Sequence, residues 1–123
     1  MPLRADKIQK RASSFGFDWP DVKPVSRKVE EELGELLEII DNSGGDARAE
    51  EEFGDVLFTL VNLGRHLGID SESALRKAVK KFEVRIRAVE KELLARGVDI
   101  DQASAQELES VWQLIKLSDQ APR

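Results

Sequence analysis

KVEEELGELLEIIDNSGGDARAEEEFGDVLFTLVNLGRHLGID, residues 28–70, is the segment whose reading decides the fold. In its first half Val29, Leu33, Leu36, Leu37 and Ile40, preceded by Val25, recur at intervals of three and four, the period of an α-helix with one apolar face. The second half repeats the pattern with Ala49, Phe53, Val56, Leu57, Leu60, Leu63 and Leu67. Asn42-Ser43-Gly44-Gly45 separates the two, and Asp46 is placed to cap the second helix. Pro24 suits the first turn of the first one, where its missing N–H is not needed. Gly68 ends the second, and Asp70 caps the next helix.

Outward from this pair the same signals continue. A helix is expected over about 4–14, ended by Phe15-Gly16 and followed by the aromatic loop Phe17-Asp18-Trp19-Pro20-Asp21. Leu75, Ala78, Val79, Phe82, Ile86, Val89 and Leu93 form one stripe that stops near Gly97. Ser104-Ala105-Gln106-Glu107 is a capping box for a last helix reaching about Leu117. No strand signal or linker appears. The expectation is an all-α antiparallel helical bundle in a single domain, residues 1–123.

Composition narrows the function classes. The chain has no Cys, which excludes disulfides, thiolate metal sites and Cys nucleophiles. No long apolar run or signal-peptide pattern occurs, so the reading is of a cytoplasmic protein with no membrane segment. A net charge of −5 argues against binding a nucleic-acid polymer. The charge is also segregated. Residues 30–55 carry eleven acidic side chains against one basic, and residues 76–96 carry eight basic against three acidic.

The acidic stretch contains two carboxylate pairs. On a 100° helical wheel the first helix has an apolar arc of about 160°, with Glu32 inside it and Glu35 just beyond its edge. On the second helix Glu52 borders the arc and Asp55 lies one step out. Residues three apart are surface neighbours, so packing the helices together can bring four carboxylates to one place. A cation is the usual remedy for crowded, partly buried carboxylates, and an all-oxygen set suits Mg²⁺ or Mn²⁺. Neither pair contains His, which argues against a redox di-metal centre. A solvated acidic face fits the same pattern.

On the basic helix Lys81 and Arg85 project together and can grip phosphate oxygens, Arg as a fork and Lys as a point charge, or can pair with the acidic helices. Trp112 and Lys116 repeat the four-residue spacing. There the aromatic ring can stack on a base, or simply fill a core. Trp19 offers the same choice. His66, the only histidine, reads as structural. Gly34 and Gly54 each precede the last carboxylate of a pair, and a close approach by another helix or subunit would account for them.

Taken together, Glu31-Glu32-Leu33-Gly34-Glu35, then sixteen residues, then Glu52-Phe53-Gly54-Asp55, resemble the MazG family of all-α nucleoside triphosphate pyrophosphohydrolases. GFDWPD at 16–21, KFEVR at 81–85 and the Trp112–Lys116 pair extend the resemblance over nearly the whole chain. The aromatic loop is most similar to the second half of the two-repeat members. The resemblance implies hydrolysis of NTP or dNTP to the monophosphate and pyrophosphate, with Mg²⁺ on Glu32, Glu35, Glu52 and Asp55. It also implies substrate contacts from Lys81, Arg85, Trp112 and Lys116, and a homodimer or dimer of dimers. Glu31 completes the motif. Glu35 is the expected proton acceptor, with Lys81 and Arg85 neutralising phosphate charge. Relatives often carry Asn where Val79 stands. Two other readings stay open: a non-catalytic helical adaptor, and a related dUTPase-like or phosphoribosyl-ATP pyrophosphohydrolase.

Overall fold

The computed structural model describes residues 2–43 and 47–120. The helices are α1 (Pro2–Ser14), α2 (Val22–Ser43), α3 (Ala47–His66), α4 (Ser71–Ala95) and α5 (Ala105–Gln120), with one 3₁₀ turn at Ile100–Gln102. There is no strand among the described residues, so the fold is all-α as expected. The expected break at Gly44-Gly45 and cap at Asp46 lie outside the described residues.

Local chemistry sets the boundaries. Gly16, at φ +87°, ends α1: its N–H donates to Ser13 O and that of Phe17 to Ala12 O. Gly68, at φ +73°, ends α3 in the same way, with the N–H groups of Gly68 and Ile69 donating to Arg65 O and Gly64 O. A left-handed residue is what lets the chain turn back onto the last free carbonyls, and only glycine adopts it without steric cost. Asp70 caps α4 by accepting from Ser73 N at 3.1 Å. Ser104 and Glu107 cap α5 reciprocally, each side chain accepting from the other's backbone N–H at 3.1 Å.

Helix α2 starts two residues before Pro24, because Asp21 accepts from Lys23 N at 3.0 Å and caps one turn earlier. Pro24 still sits in the first turn, where the backbone N–H groups have no intrahelical partner. The 3₁₀ turn was not expected; Asp99 initiates it by accepting from Asp101 N.

The chain gathers into two compact units, one ending at Leu75 and one beginning at Arg76. In the first, α3 packs against both α2 and α1. The short interval between Ser43 and Ala47 makes α2 and α3 antiparallel neighbours. Val25, Leu36, Ile39, Val56 and Val61 are buried there, together with four polar residues, Gln9, Glu32, Thr59 and Asn62. In the second, Val89, Leu93 and Val111 form the core, with Val98, Leu108, Trp112 and Ile115 packed on it.

The apolar stripes are wider than the faces buried. Leu37 and Phe53 stay 52% and 55% exposed, and Leu33, Ile40, Leu57 and Leu60 are comparable. A Cβ at Gly34 or Gly54 would meet nothing within 4 Å, so no neighbouring helix among the described residues accounts for those glycines. No helix among the described residues is long and apolar enough to cross a membrane.

Candidate functional site

The antiparallel α2–α3 pair brings its acidic positions face to face. Glu32 lies on the inner side of α2 between Val25 and Leu36 and is only 8% exposed. Glu52 and Asp55 come from the first half of α3. One carboxylate oxygen from each of Glu32, Glu52 and Asp55 falls within 4.8 Å of the others. Glu35 stands outside this trio. It lines an adjoining recess with Glu38, Asn42, Arg48 and Glu52, close enough for its charge to act on Glu52.

Electrostatics mark Glu52 as the strained member. Its carboxyl is pushed up to about 7, first by burial, then by the charge of Glu35 and by Glu32 and Asp55. Its Oε2 is buried and has no hydrogen-bond partner. Lys28, one turn before Glu32, lies 3.0 Å from Glu32 Oε1 and 3.5 Å from Glu31, and these acids raise its own pKa. Lys28 therefore supplies partial charge compensation from the Glu32 edge of the cluster.

These residues fit a small divalent cation. Mg²⁺ holds oxygens at about 2.0–2.1 Å, which puts opposite ligands about 4.2 Å apart, so modest inward side-chain movement would close the trio on one ion. The unpartnered Glu52 oxygen is the observation that favours it, because an ion would satisfy that atom and relieve the crowding together.

Two cavities share Trp19, and the first of them is lined by carboxylates of the trio. One of about 310 Å³ is lined by Trp19, Lys28, Glu32, Asp55, Phe58, Thr59 and Asn62. The next, about 240 Å³, shares Trp19, Phe58 and Asn62 and adds Gln9, Phe17, Asp18 and Arg65 among others. Gln9 donates from Nε2 to Phe58 O at 2.8 Å, leaving a buried Oε1 without a partner. Asp18 is gripped by the end of α3: Arg65 Nη2 donates to its Oδ1 at 2.7 Å, and His66 Nε2 lies 2.9 Å from the same oxygen. Arg65 above all holds the Asp18 carboxyl well below the usual carboxylate range. An ionised Asp18 only accepts, so His66 carries its proton on Nε2.

Sequence reasoning missed Lys28, although its four-residue spacing to Glu32 was a signal. It also missed Gln9 and the Asp18–Arg65–His66 contact, whose members are too far apart in the chain for any spacing rule to link them.

The remaining site candidates belong to the second unit. Lys81 is exposed on α4. Arg85 Nε donates to Asp119 Oδ2 at 2.7 Å. Trp112 packs on that unit's core, with its ring 5.5 Å from Phe82 at 52°. Lys116 is half-buried.

This fold and its carboxylate trio define an all-α protein with an acidic cluster, on an antiparallel helix pair, that could hold a cation. The MazG nucleotide pyrophosphohydrolase domain matches residues 23–90, and the chain belongs to that family. It is 47% identical over 115 residues to the nucleoside triphosphate pyrophosphohydrolase of Escherichia coli (strain K12), an alignment covering 93% of this chain and 44% of that protein. It is 43% identical over 116 residues to the nucleoside triphosphate pyrophosphohydrolase/pyrophosphatase MazG of Thermotoga maritima, covering 94% of this chain and 44% of the relative. The chain therefore spans less than half the length of these curated relatives.

Proposed function

We propose that the chain hydrolyses nucleoside triphosphates, NTP or dNTP, to the monophosphate and pyrophosphate. The observation that carries this reading is the convergence of Glu32, Glu52 and Asp55 around an unpartnered buried oxygen of Glu52. Family membership and the activities for which the relatives are named support it. The trio would hold Mg²⁺, with Mn²⁺ as the alternative, and Glu35 would join as a fourth ligand by moving in from the neighbouring recess. A bound divalent ion supplies charge neutralisation on phosphate oxygens and a more acidic water.

In the reaction a water oxygen bonds to the α-phosphorus. The bond to the bridging oxygen breaks, and pyrophosphate leaves with that oxygen. Glu35 accepts the proton of the water and passes it to solvent. Lys81, Arg85 and Lys116 neutralise the triphosphate and the leaving pyrophosphate. Trp19 and Trp112 are assigned to the nucleoside end, Trp19 because it lines both the cavity that carries Glu32 and Asp55 and the smaller one that shares Phe58 and Asn62 with it.

We read residues 1–123 as one functional domain working in the cytoplasm on free nucleotides to clear surplus or aberrant ones, with no nucleic-acid polymer bound. The half-exposed stripe of Leu33, Leu37, Ile40, Phe53, Leu57 and Leu60 supports a homodimer or a dimer of dimers. The test is pyrophosphate release from a panel of canonical and modified NTPs and dNTPs with Mg²⁺. Metal-dependent release is expected, and silence across the panel would favour the adaptor reading. A substrate profile confined to dUTP or phosphoribosyl-ATP would assign the related enzymes instead.

A further inference from the structure

We propose that Asp18 is a positioning residue: clamped by Arg65 and His66, it holds Trp19 at the junction between the carboxylate cavity and the small aromatic cavity beside it. This deepens the proposed triphosphate hydrolysis and rests on it for the identity of the ligand.

The loop between α1 and α2 has little apolar anchorage. Phe15 and Phe17 are 74% and 78% exposed and Trp19 is 40% exposed, so burial does not fix the indole. Polar contacts do. A single oxygen, Asp18 Oδ1, receives Arg65 Nη2 at 2.7 Å, His66 Nε2 at 2.9 Å and the backbone N–H of Trp19 at 2.9 Å. The carboxylate thus ties the backbone of Trp19 directly to the end of α3.

Arg65 extends the tie. The same Nη2 donates to Asn62 Oδ1 at 2.6 Å, and Asn62, almost fully buried, lines both cavities with Trp19. One guanidinium nitrogen therefore registers the loop against a polar wall of the site. Charge-assisted hydrogen bonds are the strong class, and both anchoring side chains are mostly buried, which limits competition from water. The ring so held faces a space of about 240 Å³, suited to a flat heterocycle at the end of a molecule whose phosphates lie at the carboxylates.

The test uses Asp18→Asn. In a Trp112→Phe background Trp19 is the sole tryptophan, and its emission reads the clamp without substrate. Red-shifted emission and at least a twofold rise in acrylamide quenching are expected, with unchanged helicity. In the chain with both tryptophans, KM for the best triphosphate should rise about tenfold while kcat stays within twofold. Inhibition by Mg²⁺-tripolyphosphate, which has no base, should be unaltered.

His66→Gln, which keeps an N–H donor, should stay near the parent in quenching and KM. His66→Leu should move both toward Asp18→Asn. This pair decides the matter if Asp18→Asn does not fold. Unchanged Trp19 quenching would overturn the proposal, as would tripolyphosphate inhibition weakening in step with KM, or identical behaviour of the two His66 variants. If the wild type cleaves no triphosphate, the hydrolase reading fails. The fluorescence arm then still decides the clamp.

Discussion

Glu52→Gln separates a metal site from a merely acidic surface. The substitution keeps the shape of the side chain and removes its charge. No protein donor reaches Glu52 Oε2, so no neighbour substitutes for a lost cation contact. With free Mg²⁺ at a hundred times Kd, binding adds about 2.7 kcal/mol to wild-type stability. For a chain of this size that is about 10 °C in Tm. Losing a supporting hydrogen bond around a metal costs 10- to 100-fold in affinity, and losing one of the proposed direct ligands should cost at least about a hundredfold. At the same Mg²⁺ the mutant is then half-saturated at most, and its shift falls to about 2 °C.

Without metal the order reverses at neutral pH and above, where the amide carries no charge into the crowded trio and Glu52→Gln should melt higher than the wild type. Differential scanning fluorimetry with and without Mg²⁺, alongside pyrophosphate release, measures both effects. An equal Mg²⁺ shift in wild type and mutant, or full turnover by the mutant, would refute the reasoning.

Further predictions concern pH, the second unit and its caps. The raised Glu52 pKa means that the folded chain holds a proton that the unfolded chain has released. Its contribution to stability is complete below the ordinary Glu value of 4.5 and is lost as pH rises through about 7. Metal-free Tm should therefore decline from pH 5.5 to 8, and Mg²⁺ should reverse the decline at pH 8. Asp18 has the opposite sign: its depressed pKa contributes stability above the ordinary carboxylate range that is lost as pH falls below about 4, so Asp18→Asn should flatten the acid limb of an unfolding curve. Asp119→Asn frees Arg85 while costing under about 1 kcal/mol in denaturant titration, and if Arg85 grips phosphate the KM should fall. Leu93→Ala, at an almost wholly buried site, should cost about 3 kcal/mol, and Ser104→Ala about 1 kcal/mol, by urea unfolding.

The helices were legible in the sequence because each boundary is made by residues close together in the chain. The Ser104–Glu107 box and the glycine stops at Gly16 and Gly68 need no tertiary information. Helical periodicity also placed Glu32 on an apolar arc, and it is buried there. Periodicity gave angles about each helix but not how far apart the helices lie. Side-chain reach is likewise beyond it: Glu35 lines a recess together with Glu52, while the oxygens of Glu32, Glu52 and Asp55 lie within 4.8 Å of one another. It also gave apolar stripes without saying how much of each this chain covers; Leu37 and Phe53 share the periodicity of buried Leu36 and Val56 yet stay half exposed. The Asp18 clamp joins residues 47 and 48 positions apart, and that pairing exists only once α1 and its loop dock on α3.

Anomalous scattering from crystals grown with Mn²⁺ tests the central claim most directly. One manganese peak is expected, with oxygens of Glu32, Glu52 and Asp55 all at about 2.2 Å, the contact length of a hard divalent ion on carboxylates. Manganese found only on other acidic surfaces, with the trio still holding Lys28 and no ion, would contradict it.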